Sequence, residues 1–314
     1  MNNDNSSDSQ DLLKQLVMDY IQDKKKQRKW KWVRRSIIAI VILYLGYEFY
    51  DLTNEAEEST KKEHVGLIDL EGEITDSSSA SADNFIKGID KAFKNASMKA
   101  VIFRINSPGG SPVQAEYMYN TIKYYKSLRP EVKTYSVCVD MCASAAYYVA
   151  VAADEIYSSP ASMVGSIGVI YNGFGFVDAI QKIGVSRRLQ TSGINKGFLD
   201  PFSPTSESQQ QKLQTMLDLI HKQFINRVKE GRGDRLHINE DTFSGLFWTG
   251  EQALDIGLID GFASSGQVAR DVIKINRVVD YSYKQNVVDR FVKNLGTAIA
   301  DQLPVSLGLK PGLK

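Results

Sequence analysis

The 314-residue sequence holds only two cysteines, three histidines and eight prolines, and each scarcity closes a route. Two cysteines cannot form a disulfide framework, and with so few histidines they supply no zinc-ligand set. Cys138 and Cys142 stand four apart, where a strand-like run gives way to a helix-like one. A bridge there would distort the junction, so both read as small buried thiols. A formal net charge of +1 gives no global electrostatic reason to bind nucleic acid. There is no phosphate-cradling glycine loop, metal-ligand cluster or internal repeat, so no cofactor and no metal are expected. His64, His221 and His237 all lie outside glycine-rich or junction segments, which leaves a histidine-based triad without a natural assembly point.

Long apolar runs are also scarce. The segment 36–47, SIIAIVILYLGY, is twelve residues, or ~18 Å of helix against a hydrocarbon core of ~30 Å. Extending it to 30–50 reaches membrane length but takes in Lys31, Arg34, Arg35 and Glu48. Long basic side chains near helix ends can snorkel, and Trp30, Trp32, Tyr47 and Tyr50 suit interfacial positions. The segment starts late and lacks a small-residue cleavage site, which argues against a cleavable signal peptide. With the positive cluster Lys24 to Arg35 ahead of it, we read 36–50 as a single transmembrane signal anchor, a buried core helix being the alternative. The positive-inside rule then keeps 1–35 cytoplasmic as a basic tail and exports the remainder.

Beyond a polar linker at 51–63, strand-like and helix-like runs alternate. Strands are expected at His64–Leu70, Lys99–Ile105 and Lys133–Val139, and helices at Asn84–Asn95, Glu116–Leu128 and Ala143–Ala153. Leu213, Met216, Leu217, Ile220, Phe224 and Val228 mark an amphipathic helix over Glu207–Glu230. Short connections between alternating strands and helices predict an α/β domain with largely parallel pairing, at 64–282, and a tail at 283–314.

Ser144 sits where the strand-like run meets a wholly apolar helical run. A helix N-terminus offers free N–H groups and a favourable dipole for negative charge, which an acyl-transfer oxyanion needs. The turn Ser107-Pro108-Gly109-Gly110 can supply the other half of an oxyanion hole, because glycine lets a backbone N–H face a ligand. Ser166, within Gly165-Ser166-Ile167-Gly168, is a rival nucleophile or a residue lining the site; Cys142 is another rival.

These motifs resemble the signal peptide peptidase A (protease IV) family in its short, single-domain form. The resemblance rests on SPGG at 107–110, ASAAYY at 143–148, ADEIY at 153–157, GSIGV at 165–169, SGINK at 192–196 and FWTGEQA at 247–253, followed by GLID at 257–260. They occur in the family's order over residues 64–265. The resemblance implies a Clp-protease/crotonase-like fold of stacked ββα units and a Ser–Lys dyad in place of Ser–His–Asp. Ser144 would be the nucleophile and Lys196 the general base, with the N–H groups of Gly110 and Ala145 as oxyanion donors and Gly109 and Ser166 near the substrate. A lysine acts as base only when neutral part of the time; bringing its pKa from ~10.4 towards 7–8 takes about 4 kcal/mol of burial or nearby positive charge. Short family members look like ring oligomers, so Lys196 could serve a serine on a neighbouring chain. Ala145-Ala146 stand where the family usually has two glycines, which narrows the substrate's approach without removing the backbone donor.

The function implied is a membrane-anchored serine endopeptidase degrading hydrophobic peptides, such as cleaved signal peptides, at the extracytoplasmic face of the inner (plasma) membrane. Two other readings compete: an acyl-CoA hydratase or isomerase of crotonase type, suggested by GEQALDIGLIDG at 250–261, and a non-catalytic membrane scaffold.

Overall fold

The structure is a computed structural model that describes residues 18, 24–25, 29–44, 46–47 and 60–284. The chain divides into two units, Met1–Lys61 and Lys62–Lys314. In the first, residues 29–44 and 46–47 are helical and exposed. Among the described residues no helix is long and apolar enough to cross a membrane. Residues 45 and 48–50 of the expected anchor, 51–59 of the linker and 285–314 of the tail lie outside the described residues.

The second unit is built on a sheet of eight strands: β1 His64–Glu71, β2 Met98–Ser107, β3 Lys133–Ala143, β4 Glu155–Ser158, β5 Met163–Gly165, β6 Phe247–Thr249, β7 Gly261–Phe262 and β8 Val278–Asp280. The main path runs β6-β5-β3-β2-β1-β8, and β4 joins β3 to β7. Every pairing is parallel except β5 with β6. Helices α1 (Ala82–Phe93), α2 (Pro112–Leu128) and α3 (Ala145–Ala150) make the crossovers between β1, β2, β3 and β4. Further along come α4 (Val177–Lys182), α5 (Glu207–Arg232), α6 (Gly250–Asp255) and α7 (Ser265–Gln267), the last running into a π-helical turn at Val268–Ile273.

Period-two alternation divides the core between the two faces of the sheet. On one face Ile68, Leu70, Val101 and Phe103 pack with Phe85 and Ile89 of α1, Met118 and Ile122 of α2, and all of α3. On the other, Val65, Ala100, Ile102, Tyr135 and Val137 meet Val268 and Ala269. Coverage of both faces explains why β1 and β2 read as near-continuous apolar runs.

Several boundaries differ from the sequence reading, and three of them have a clear local reason. Helix α2 begins at Pro112 rather than Glu116, because the Ser111 hydroxyl accepts the Gln114 N–H and proline is preorganised for the first helical position. Cys142 and Ala143 belong to β3, where they pair with Val164 and Gly165, so the helix starts only at Ala145. It also stops at Ala150, whereas the apolar run continues to Ala153: its burial comes from packing in the core, not from helix length.

Candidate active site

Strand β3 shares one edge between two partners. Tyr135–Cys138 pair with β4, and Met141–Ala143 pair with β5. Ser144 follows immediately and enters α3 with φ 54° and ψ −125°, a backbone conformation that costs a non-glycine residue on the order of 1–3 kcal/mol. Its N–H is held by the Gly165 carbonyl at 2.8 Å, and its own carbonyl accepts the Tyr148 N–H at 3.0 Å. The sharp reversal therefore leaves the serine half-buried at the mouth of a helix whose every residue is buried.

The glycine turn abuts this junction. Gly109 has φ +102°, and a Cβ there would lie 2.7 Å from both the Ala143 carbonyl and the Ser144 Cβ, and 2.9 Å from the Ala145 nitrogen. Gly110, at φ +143°, presses on Ile74: the Ile74 N–H donates to Gly109 O and the Ser111 N–H donates to Ile74 O, both at 2.8 Å. Backbone this close has no room for side chains, which is why the sequence carries two glycines here. Gly110, Ser144 and Ala145 line one cavity of about 370 Å³, whose walls include Val113, Tyr117, Ile170, Ile220 and Phe224.

The cavity carries one charged side chain, Glu116 of α2. Its carboxylate accepts from Arg227 Nη2 at 2.7 Å, from Asn120 Nδ2 at 3.0 Å and, in a short contact, from the Tyr148 hydroxyl. Burial works to raise the Glu116 carboxyl, but hydrogen bonds from Arg227, Tyr148 and Asn120 more than offset it and hold the group below its ordinary value. Burial, reinforced by the hydrogen bond to that carboxylate, pushes the Tyr148 hydroxyl up to about 12. This cluster was not anticipated from sequence. Glu116 and Arg227 are 111 residues apart, and no local pattern links them.

Lys196 lies in a run of turns after Gly193, whose carbonyl accepts its N–H at 3.1 Å, and its side chain is exposed. It is not among the residues lining the cavity, and no hydrogen bond joins it to Ser144 among the described residues. The segment carrying it is tied to itself. Asp200 accepts from Ser203 Oγ at 2.6 Å and Arg187 Nε at 3.3 Å, Phe176 N donates to Pro201 O at 2.7 Å, and the Phe176 and Phe202 rings stack at 5.5 Å. Gly109 and Ser166 support the cavity from outside it: Gly109 is buried, and Ser166, at φ 52°, donates its N–H to Leu246 O at 2.8 Å. Their neighbours Gly110 and Gly168 line it instead.

The histidines have structural partners. His64 is buried between Lys62 O and the Tyr281 hydroxyl, at 2.8 and 2.9 Å. His237 Nδ1 meets Asp255 O at 2.9 Å. His221, on α5, contacts Ile167 O at 3.0 Å and so braces the loop leading to Gly168. Cys138 and Cys142 are free and buried, and burial together with hydrogen bonding between them pushes the Cys142 thiol well up, which disfavours the thiolate a nucleophile needs. No group of His, Cys, Asp and Glu suited to a metal occurs among the described residues.

The comparisons with known proteins converge on the same region. The model of Peptidase family S49 matches residues 126–278, and that of Clp protease matches residues 60–164, in keeping with a Clp-protease-like α/β domain. The chain is 45% identical over 173 residues to a protein named Na(+)/H(+) antiporter NhaA of Brucella abortus; the match takes in 55% of this chain but spans only 23% of that protein's length. It is 25% identical to the putative signal peptide peptidase SppA of Enterococcus faecium, over 83% of this chain and 78% of that protein. It is also 30% identical to the putative protease slr0021 of Synechocystis sp., over 64% of this chain and 70% of that protein. The extent of that last match and the Peptidase family S49 model agree, and on them this chain belongs to peptidase family S49.

Proposed function

We propose that the chain is a serine endopeptidase that cleaves hydrophobic peptides through an acyl-enzyme, with Ser144 as nucleophile and Lys196 as general base. The observation that carries this reading is the meeting of Gly110, Ser144 and Ala145 on one apolar-walled cavity. In the reaction, Ser144 Oγ attacks the scissile carbonyl as a lysine takes its proton. The tetrahedral oxyanion is held by the N–H groups of Gly110 and Ala145, the first helical residue of α3, where no carbonyl one turn earlier is available within the helix. The protonated base passes its proton to the leaving amine, and water then hydrolyses the acyl ester. The walls of Val113, Ile170, Ile220 and Phe224 suit an apolar side chain on the acyl side of the cut.

A lysine base needs desolvation, and within one chain Lys196 is exposed. Its segment also exposes Ile170 at 84%, Phe174 at 74% and Ile194 at 96%, more apolar surface than a lone chain leaves uncovered without reason. Both observations support a homo-oligomeric ring in which a neighbouring copy covers this segment and the base serves a serine across the interface. We also propose that residues 36–50 anchor the chain in the plasma membrane with its N-terminus cytoplasmic; of these, 36–44 and 46–47 are helical, and Trp30, Trp32 and Tyr47 suit interfacial positions. There the site would meet the hydrophobic remnants of signal peptides.

The test is cleavage of a hydrophobic fluorogenic peptide by wild type, Ser144→Ala and Lys196→Ala, with folding and assembly checked for each. Both variants are expected to lose turnover on the order of 10⁴-fold. Full turnover by Ser144→Ala would sink the mechanism, and loss in Ser144→Ala alone would send the search for a base to His221, beside the cavity loop.

A further inference from the structure

The charged wall of the cavity has a feature that the cleavage chemistry does not use. Glu116, Tyr148 and Gln223 line the cavity beside Ser144 and also a second cavity of about 410 Å³, lined further by Asn226 and Arg227. The two spaces meet at these three residues, and Arg227 lines only the far one. Its guanidinium is fixed there by three contacts: Nη2 donates to Glu116 Oε1 at 2.7 Å, Nη1 to Glu230 Oε2 at 3.1 Å, and the group lies 4.8 Å over the Tyr119 ring. A carboxylate alone on an apolar cavity wall would attract an ammonium or guanidinium group from a substrate. Here its countercharge comes from the protein itself, behind the wall.

We propose that Arg227 determines the substrate class of this cavity: by compensating Glu116 from behind, it makes the cavity select uncharged apolar side chains and reject cationic ones. The inference rests on the cavity beside Ser144 being where the substrate's acyl-side residue binds. Selection of this kind is a difference between two affinities, and here the repulsive element is the arginine a substrate cation would face across the wall. Arg227 touches no substrate atom and acts through Glu116, so it is a positioning residue whose effect must appear as changed selectivity, not merely changed rate.

The experiment uses the full-length protein and peptides identical except for Leu, Phe, Lys or Arg on the acyl side of the cleaved bond. Wild type is expected to favour Leu and Phe. In Arg227→Met the kcat/KM ratio of Lys to Leu peptides should rise by about tenfold or more. Glu116→Gln combined with Arg227→Met should return the ratio to the apolar side, which a merely structural role for Arg227 would not do. Arg227→Lys, which keeps the positive charge, should hold the wild-type order and gives a second reading if the methionine variant unfolds. A uniform loss across all four peptides in Arg227→Met, or a raised Lys ratio that the double variant fails to reverse, overturns the inference alone. Ser144→Ala is run beside them: turnover that survives in it overturns the reading of the site, and the inference falls with it.

Discussion

At the scale of single residues, the site depends on two places where backbone nearly touches backbone. Substituting Gly109 with alanine would bring a Cβ to 2.7 Å from the Ala143 carbonyl, a distance that forces the Ser144 turn to move. Displacing oxyanion donors costs on the order of 10²–10³ in rate. We therefore expect Gly109→Ala to lower kcat by about 10²-fold while leaving KM much less affected, as steady-state kinetics would show; an unchanged kcat would refute the tight packing. The strand-to-helix junction at Ser144 and the glycine turn at Gly109-Gly110 were legible in the sequence because both are local and announce themselves within a few residues. Glu116, Tyr148 and Arg227 were not, because their meeting depends on how α2, α3 and α5 pack, and no spacing in the chain encodes that. Lys196 is a candidate only through family likeness, since its exposed turn resembles any other.

Among the elements, α5 does the most distant work. Its Ser206 capping box fixes one end, and at the other the buried Arg232 donates to Gly257 O at 2.8 Å and to both oxygens of Asp260 at 2.8 and 2.9 Å. Asp260 also accepts from Arg235 and from the Ile156 N–H, which ties α5 to β4 and to the chain entering β7. Burial works to raise the Asp260 carboxyl, but the hydrogen bonds and charge of Arg232, with the Ile156 N–H, leave it below its ordinary value. A carboxyl lowered by folding contributes stability that is complete above its unfolded value, about 3.9 for aspartate, and is lost as pH falls through the folded one. Urea midpoints should accordingly be flat from pH 7 to about 5 and decline below about 4, and Asp260→Asn should blunt that decline. Arg232→Met strips the main countercharge from a partly buried carboxylate and is expected to cost about 3 kcal/mol by the same measurement. The amphipathic pattern of α5 was plain in the sequence, but Arg232 is a buried arginine at its last turn, a position that composition would assign to solvent.

For the whole molecule, the proposed sharing of a site between copies has a direct test. Ser144→Ala and Lys196→Ala chains, each inactive alone, should regain activity when unfolded and refolded together, because a mixed assembly joins an intact serine to an intact lysine. Random mixing at equal amounts would restore about a quarter of the sites; no recovery in assembled mixtures would place the base within its own chain. A second test concerns the N-terminal segment: deleting residues 36–50 should move the protein from the membrane to the soluble fraction on centrifugation, and unchanged sedimentation with membranes would dismiss the anchor. The parallel α/β arrangement was readable from alternation alone, whereas the short strands β5 to β8, two or three residues each, were too brief for any periodicity to mark. The last of them pairs with the first long strand: Val278 to Asp280 lie beside Val65 to Leu67, Tyr281 N donates to Leu67 O, and Ser282 Oγ accepts from Asp69 N. The domain thus clasps its own two ends together, like a belt closed at the buckle. A protease cutting after residue 284 would leave the clasp shut, but one cutting before 278 would undo it, baring the edge of β1 to any other chain able to add a strand.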